Sequence, residues 1–248
     1  MRRAAAFVRH GVVNRSIRTY ASWLLLPLAV AACAPAAAND PAVAPQPAAT
    51  APAATPPDPV EHVKNVEVSD AIKALIDAEG RTEADRALDA GRHPGETLAF
   101  FGVTEGMKVA ELGAGTGYTA ELLARAVGPT GTVYGHNTKL LLDRFAEAPW
   151  SARLARPVMK NVARVDRDFD DPLPPEANGL DAVFLVLFYH DTVWLEVDRP
   201  KMNRAIYAAL KPGGVFAVVD HSAREGAGVA DVKTLHRIEE RVVREEIE

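Results

Sequence analysis

The chain predicts an α/β protein, a doubly wound, mostly parallel sheet with helices on both faces. Three observations carry this. Apolar runs of strand length alternate with helical spacing from Met107 onward, the pattern of a parallel sheet joined by crossover helices. The run Ala182-Val-Phe-Leu-Val-Leu-Phe188 is apolar without alternation, as in strands buried on both faces. And the stretch Val109-Ala-Glu-Leu-Gly-Ala-Gly-Thr-Gly-Tyr118 passes from an apolar run through three spaced glycines into a helical pattern over Thr119–Val127, a strand–turn–helix of the kind that receives nucleotides.

The elements follow in order. Asp70–Ala78 reads as a short helix closed by Gly80. Thr82-Glu-Ala-Asp85 resembles a capping box and starts a helix that runs to Ala90. His93-Pro94 sets a boundary, because a residue before proline avoids the helical region, and Pro94 opens a helix through Phe101. After the glycine turn and its helix come a strand at Thr132–Asn137, a helix at Lys139–Glu147 and a strand at Ala163–Asp168. A strand at Ala182–Phe188, a helix at Arg199–Leu210 and a strand at Val215–Asp220 complete the sheet. Asp231–Glu248 reads as one continuous helix. With no strand after Asp220, the last strand is expected to be an open edge unless another element covers it.

Two segments precede this domain, which spans 60–248. Residues 1–33 hold five arginines and no acid, followed by the short apolar run Trp23–Val30. That run falls short of the roughly 20 residues that span a bilayer, and the pattern is that of a signal peptide. It ends Val30-Ala-Ala-Cys33, which resembles a bacterial lipobox. Lipidation of Cys33 would anchor an exported protein at a membrane. Cleavage after Ala36-Ala-Ala38, or an unmodified Cys33 in an uncleaved segment, are the competing readings. Residues 34–59 contain eight of the eighteen prolines and read as a semi-rigid Ala/Pro tether.

Composition narrows the partners. A single cysteine excludes an internal disulfide and a Cys-rich zinc set. The net charge is −5. Removing the five arginines of the leader leaves 28 − 5 = 23 bases against 33 acids, a net of −10, which does not invite nucleic acid. No metal is assigned; the acids Asp166, Asp168, Asp170 and Asp171 read as a solvated loop.

The glycines are spaced G-x-G-x-G at Gly113, Gly115 and Gly117, without the extra residue of the dinucleotide fingerprint and without a P-loop lysine. Glu111-Leu-Gly-Ala-Gly-Thr-Gly117 resembles the first motif of class I S-adenosylmethionine (SAM)-dependent methyltransferases. The resemblance extends over roughly 80–222 through Leu180-Asp-Ala-Val-Phe-Leu185 and Leu210-Lys-Pro-Gly-Gly-Val-Phe216. It implies a Rossmann-like methyltransferase fold, here without the family's usual last two strands. It implies SAM as cofactor, held by the main chain of Gly113, Ala114, Gly115, Thr116 and Gly117, with Glu111 ordering the loop or meeting the ammonium group. Asn137 stands where the family places a ribose-binding acid, and helix capping is its alternative role. Asp168 is expected at the adenine amino group and Phe169 on the ring.

The resemblance also places Phe188-Tyr-His-Asp191 beside the methyl donor and acceptor. His190 is the candidate general base with Asp191 orienting it; Asp220-His221 is a second pair. The function expected is methyl transfer to a small molecule. The alternatives are a membrane-anchored, noncatalytic Rossmann-like binding module, or a cytoplasmic enzyme whose start site lies downstream of Met1. A NAD-type oxidoreductase is disfavoured by the glycine spacing.

Overall fold

The computed structural model describes residues 66–248. The leader, Cys33 and the Ala/Pro tether lie outside the described residues, so the signal and lipidation readings have no structural counterpart here.

Three short helices come first: α1 (Asp70–Asp77), α2 (Glu83–Arg92) and α3 (Pro94–Phe100). Side chains start the first two, with Ser69 accepting from the Ile72 N–H and Thr82 from the Asp85 N–H, each satisfying one orphan donor of the first turn. His93 separates α2 from α3 in a left-handed conformation, φ 46°. That is the non-helical boundary expected before Pro94, reached by an unusual route.

The sheet begins with β1 (Lys108–Leu112), then α4 (Tyr118–Val127) and β2 (Thr132–Asn137). The helix expected at Lys139–Glu147 is longer. It runs as α5 (Lys139–Leu141), a π-helical stretch at Leu142–Ala146 and α6 (Glu147–Leu154). Then follow β3 (Val162–Asp166), β4 (Leu180–Val186), α7 (Tyr189–Trp194), α8 (Arg199–Ala209) and β5 (Leu210–Val219). The last two helices are α9 (Val232–Leu235) and α10 (Glu240–Ile247). All strand pairs are parallel, in the order β3-β2-β1-β4-β5. Among the described residues no helix is long and apolar enough to cross a membrane.

Alternate residues of the strands feed two cores. Val109, Val133, Ala182, Phe184 and Ala217 pack with α4 and Trp150 on one face. Ala110, Leu112, Val183, Leu185 and Val218 pack with Met202 and Ile206 of α8 on the other. The sheet is therefore covered on both sides, as its apolar strands require.

Three expectations need correction. The Tyr189–Trp194 helix was not foreseen. The fifth strand starts at Leu210, five residues early, yet Leu180↔Leu210 is followed by Ala182↔Val215. Lys211–Gly214 thus bulges out of the ladder, where Pro212 has no N–H to donate and Gly213 takes φ 82°. The C-terminal stretch is not one helix: His236 turns left-handed at φ 52°, and Ile238 is fully buried. Ile238 exchanges main-chain hydrogen bonds with His221 and Ala223. Burial of one side chain and a bridge to the end of β5 outweigh the local helical preference. Phe216–Val219 of β5, the edge strand of the described sheet, are buried.

Candidate functional site

The site is assembled where strand order reverses, at the C-terminal ends of β1, β2 and β4, the position at which open parallel sheets bind ligands. Its centre is the turn after β1. Gly113, Gly115 and Gly117 all have positive φ, at 66°, 57° and 87°, a region costly to residues with a Cβ.

The end of β2 grips this turn. The Gly113 N–H donates to His136 Nδ1 at 3.2 Å, and the Ala114 N–H to the His136 carbonyl at 2.8 Å. The Gly115 N–H donates to Asn137 Oδ1 at 2.8 Å, while Asn137 Nδ2 donates back to the Gly115 carbonyl at 3.0 Å. His136 Nε2 lies 2.9 Å from the Arg167 carbonyl, so it carries the proton and Nδ1 is free to accept. Burial pushes the His136 imidazole down to about 4, which keeps it neutral for this task. Asn137 does not cap the next helix; Thr138 does, accepting from the Leu141 N–H.

The three glycines have different reasons to be glycine. A Cβ on Gly117 would strike Trp150 Cε3 at 2.7 Å and Arg153 Cδ at 2.8 Å. A Cβ on Gly113 would meet Phe188 Cγ at 3.3 Å and Phe169 Cζ at 3.4 Å. On Gly115 it would meet nothing within 4 Å. Only there is the main chain open for a ligand. Above Gly113 the space is filled by Phe169 and Phe188, stacked at 5.1 Å and 21°, with His136 edge-on to Phe169. Phe188 had no role of its own in the sequence reading. Leu187 before it takes φ 56°, a costly bend for a leucine, and this bend ends β4 and starts α7.

Glu111 is buried on the α4 side of the sheet. Burial pushes its carboxyl up to about 8, against the smaller pull of the Thr119 hydroxyl and the Ala120 N–H. Among the described residues its Oε2 has no hydrogen-bond partner. Thr116 is exposed at the tip of the turn, and its carbonyl accepts from Arg153 Nε. Asp168 lies two residues beyond β3 and is exposed. Its neighbours are engaged: Asp166 by Arg164, Asp171 by Arg167 and Asp170 by Lys201.

His190 is buried in the first turn of α7. Asp191 and Asp220 both hold its ring. Asp220 Oδ1 lies 2.6 Å from His190 Nδ1, and Asp220 Oδ2 accepts the His190 main-chain N–H at 2.8 Å. Asp191 Oδ1 stands at the other ring nitrogen, 3.1 Å from Nε2. Burial works against a charged ring, but the hydrogen bonds of Asp191 and Asp220 outweigh it and raise His190 to about 9. Both nitrogens face carboxylates, which favour the protonated ring and leave neither nitrogen open to an acceptor's proton.

A parallel five-stranded sheet in this order, layered by helices and with a glycine turn after its central strand, is the Rossmann-like methyltransferase fold. Residues 110–218 match the family model described as "Methyltransferase domain". Among solved structures, a SAM-dependent methyltransferase from Aquifex aeolicus is 22% identical, with a TM-score of 0.47 over 62% of this chain and 74% of that one. The complex of the Haloferax volcanii Trm112 methyltransferase activator with a methyltransferase matches at 20% identity and TM-score 0.48, over 72% and 74%. Aeropyrum pernix fibrillarin with natively bound SAM matches at 21% and 0.38, over 58% and 55%. Chemistry does not transfer at such scores.

Proposed function

We propose that this chain binds SAM and transfers its methyl group to a small-molecule acceptor. The observation that carries the reading is Gly115: left-handed main chain, pinned at both its N–H and its carbonyl by Asn137, with open space where a Cβ would stand. The residues fit the cofactor. An adenosyl sulfonium needs close approach to main chain, and Glu111 Oε2 is a buried acceptor lacking a donor, suited to an ammonium group. When bound, SAM supplies an electrophilic methyl on sulfur.

The chain's own residues bind and align. The main chain of Gly113–Gly117 forms the cradle. Asn137 spends one acceptor and one donor on Gly115 and keeps one of each, its capacity for a ribose hydroxyl. Asp168, exposed beyond β3, takes the adenine amino group, and Phe169 with Phe188 forms the apolar wall. His190 and Asp191 flank the acceptor. Held between two carboxylates, His190 contributes orientation; in-line methyl transfer needs alignment foremost.

Calorimetry of the full-length protein with SAM tests this, with Gly115→Ala as the comparison. Saturable binding that the variant loses supports the assignment. The second reading, a noncatalytic binding module, is favoured by the Phe169–Phe188 stack filling the space over Gly113. A folded protein with no affinity for SAM would establish it.

For location, the basic leader, the short apolar run and Val30-Ala-Ala-Cys33 support export and a lipid anchor at Cys33. Palmitate labelling that vanishes in Cys33→Ser is the expected result. Labelling of neither protein refutes the anchor.

A further inference from the structure

The ends of β4 and β5 bring a second cluster together beside the glycine turn. Asp191 follows His190 in the first turn of α7. The chain then passes through α8, β5 and α9, and returns at His236. The left-handed conformation of His236 ends α9 and sets its imidazole against Asp191, with Nδ1 3.4 Å from Asp191 Oδ1. His190 Nε2 lies 3.1 Å from the same oxygen, and one ligand atom from each of the three residues falls within 4.8 Å of the others. The His190 and His236 rings meet edge to face at 5.4 Å.

We propose that His190, Asp191 and His236 bind a divalent transition-metal ion, zinc foremost. Bonds of about 2.0–2.1 Å to a tetrahedral zinc hold adjacent ligand atoms roughly 3.3 Å apart. The carboxylate oxygen already stands at 3.1 and 3.4 Å from the two ring nitrogens. Two imidazoles with one carboxylate suit zinc and its neighbours rather than calcium or magnesium, which prefer all-oxygen sets.

The supporting groups agree. Asp220 takes the Nδ1 proton of His190 at 2.6 Å, leaving Nε2 as the ligand atom. A carboxylate behind a ligating histidine is the usual second partner in such sites. Trp194 Nε1 donates to Asp191 at 2.7 Å and holds its rotamer. Side-chain exposure rises from 4% at His190 through 17% at Asp191 to 61% at His236. The cluster is anchored inside and open outside, which leaves room for a fourth ligand from solvent. Metal binding of this kind does not depend on methyl transfer.

The competing state is the same cluster held together by ring N–H groups pointing at Asp191, with no affinity for a cation. Full-length protein stripped with a chelator and titrated with Zn²⁺ by calorimetry, then with Co²⁺ by visible absorption, separates the two. One equivalent of each is expected, with Co²⁺ ligand-field bands of a nitrogen–oxygen site. His236→Gly removes the ligand while suiting the left-handed backbone, and should weaken Zn²⁺ at least about tenfold. Asp191→Asn, which still accepts from Trp194, should weaken it comparably. Circular dichroism checks that both variants fold. Less than one equivalent bound by the folded wild type overturns the proposal, and so does undiminished affinity in either folded variant.

Discussion

Asn137 and Gly115 form a closed hydrogen-bonded ring, donor to acceptor in both directions, at 2.8 and 3.0 Å. The ring joins the end of β2 to the crown of the glycine turn. It fixes the glycine of that turn whose Cβ direction is open space. Loop conformation is thereby set before any ligand arrives, and preorganisation of this kind lowers the cost of binding.

Asn137→Ala removes both bonds. Gly115 is partly exposed, so water recovers some of the loss, and a destabilisation of about 1–2 kcal/mol is expected in urea unfolding. SAM affinity should fall by more than that stability loss accounts for, because the released loop must be ordered again on binding. Equal affinity in the variant would show that the ring is scaffolding alone.

Alanine at the glycines should separate packing from binding. Gly117→Ala forces the new methyl into Trp150 and Arg153, a fully buried ring and a partner in ion pairs, and should cost upwards of about 2 kcal/mol. Gly115→Ala meets open space and pays only the left-handed backbone penalty, about 1–2 kcal/mol. The first variant should lose thermal stability, the second chiefly its affinity for SAM.

Glu121 is 1% exposed and collects Arg125, Arg153 and Arg156, while Arg153 also pairs with Asp85 at 2.8 Å. The network ties α2 and α6 to α4. Glu121→Ala leaves buried arginine charge without its carboxylate, for an expected loss of about 3–5 kcal/mol, measurable by denaturant unfolding. Loss of less than about 1 kcal/mol would show that water compensates the arginines.

Stability should depend on pH through three buried groups. His136, lowered from 6.5 to about 4, is protonated in the unfolded chain before the folded one. It removes stability as pH falls from 6.5 to about 4, by about 3 kcal/mol at 1.36 kcal/mol per unit. Glu111, raised from 4.5 to about 8, acts in the opposite sense and removes stability as pH rises across that interval. His190, raised to about 9, adds to the loss above 6.5. The His136 and Glu111 slopes cancel between about 4.5 and 6.5, so a plateau there and a decline toward pH 8 are expected. Glu111→Gln should lessen the decline between 6.5 and 8 by about 2 kcal/mol and uncover the His136 slope below 6.5. An unchanged profile in that variant would show that Glu111 titrates normally.

The sequence by itself determined the fold class and the place of the glycine turn, because both are written locally. Strand-length apolar runs admit few arrangements, and positive φ at three spaced positions calls for glycine. It did not determine which glycine faces open space. Gly113, Gly115 and Gly117 look alike in sequence, and only the approach of Phe188, 75 residues from Gly113, and of Trp150, 33 residues from Gly117, tells them apart. Nor did it show that Asn137 holds the turn, that Asp220 joins Asp191 at the His190 ring, or that the C-terminal helical pattern breaks at His236. Each of these is a contact between residues distant along the chain. Local propensity carries no record of such contacts; burial of Ile238 and the packing of β4 against β5 decide them.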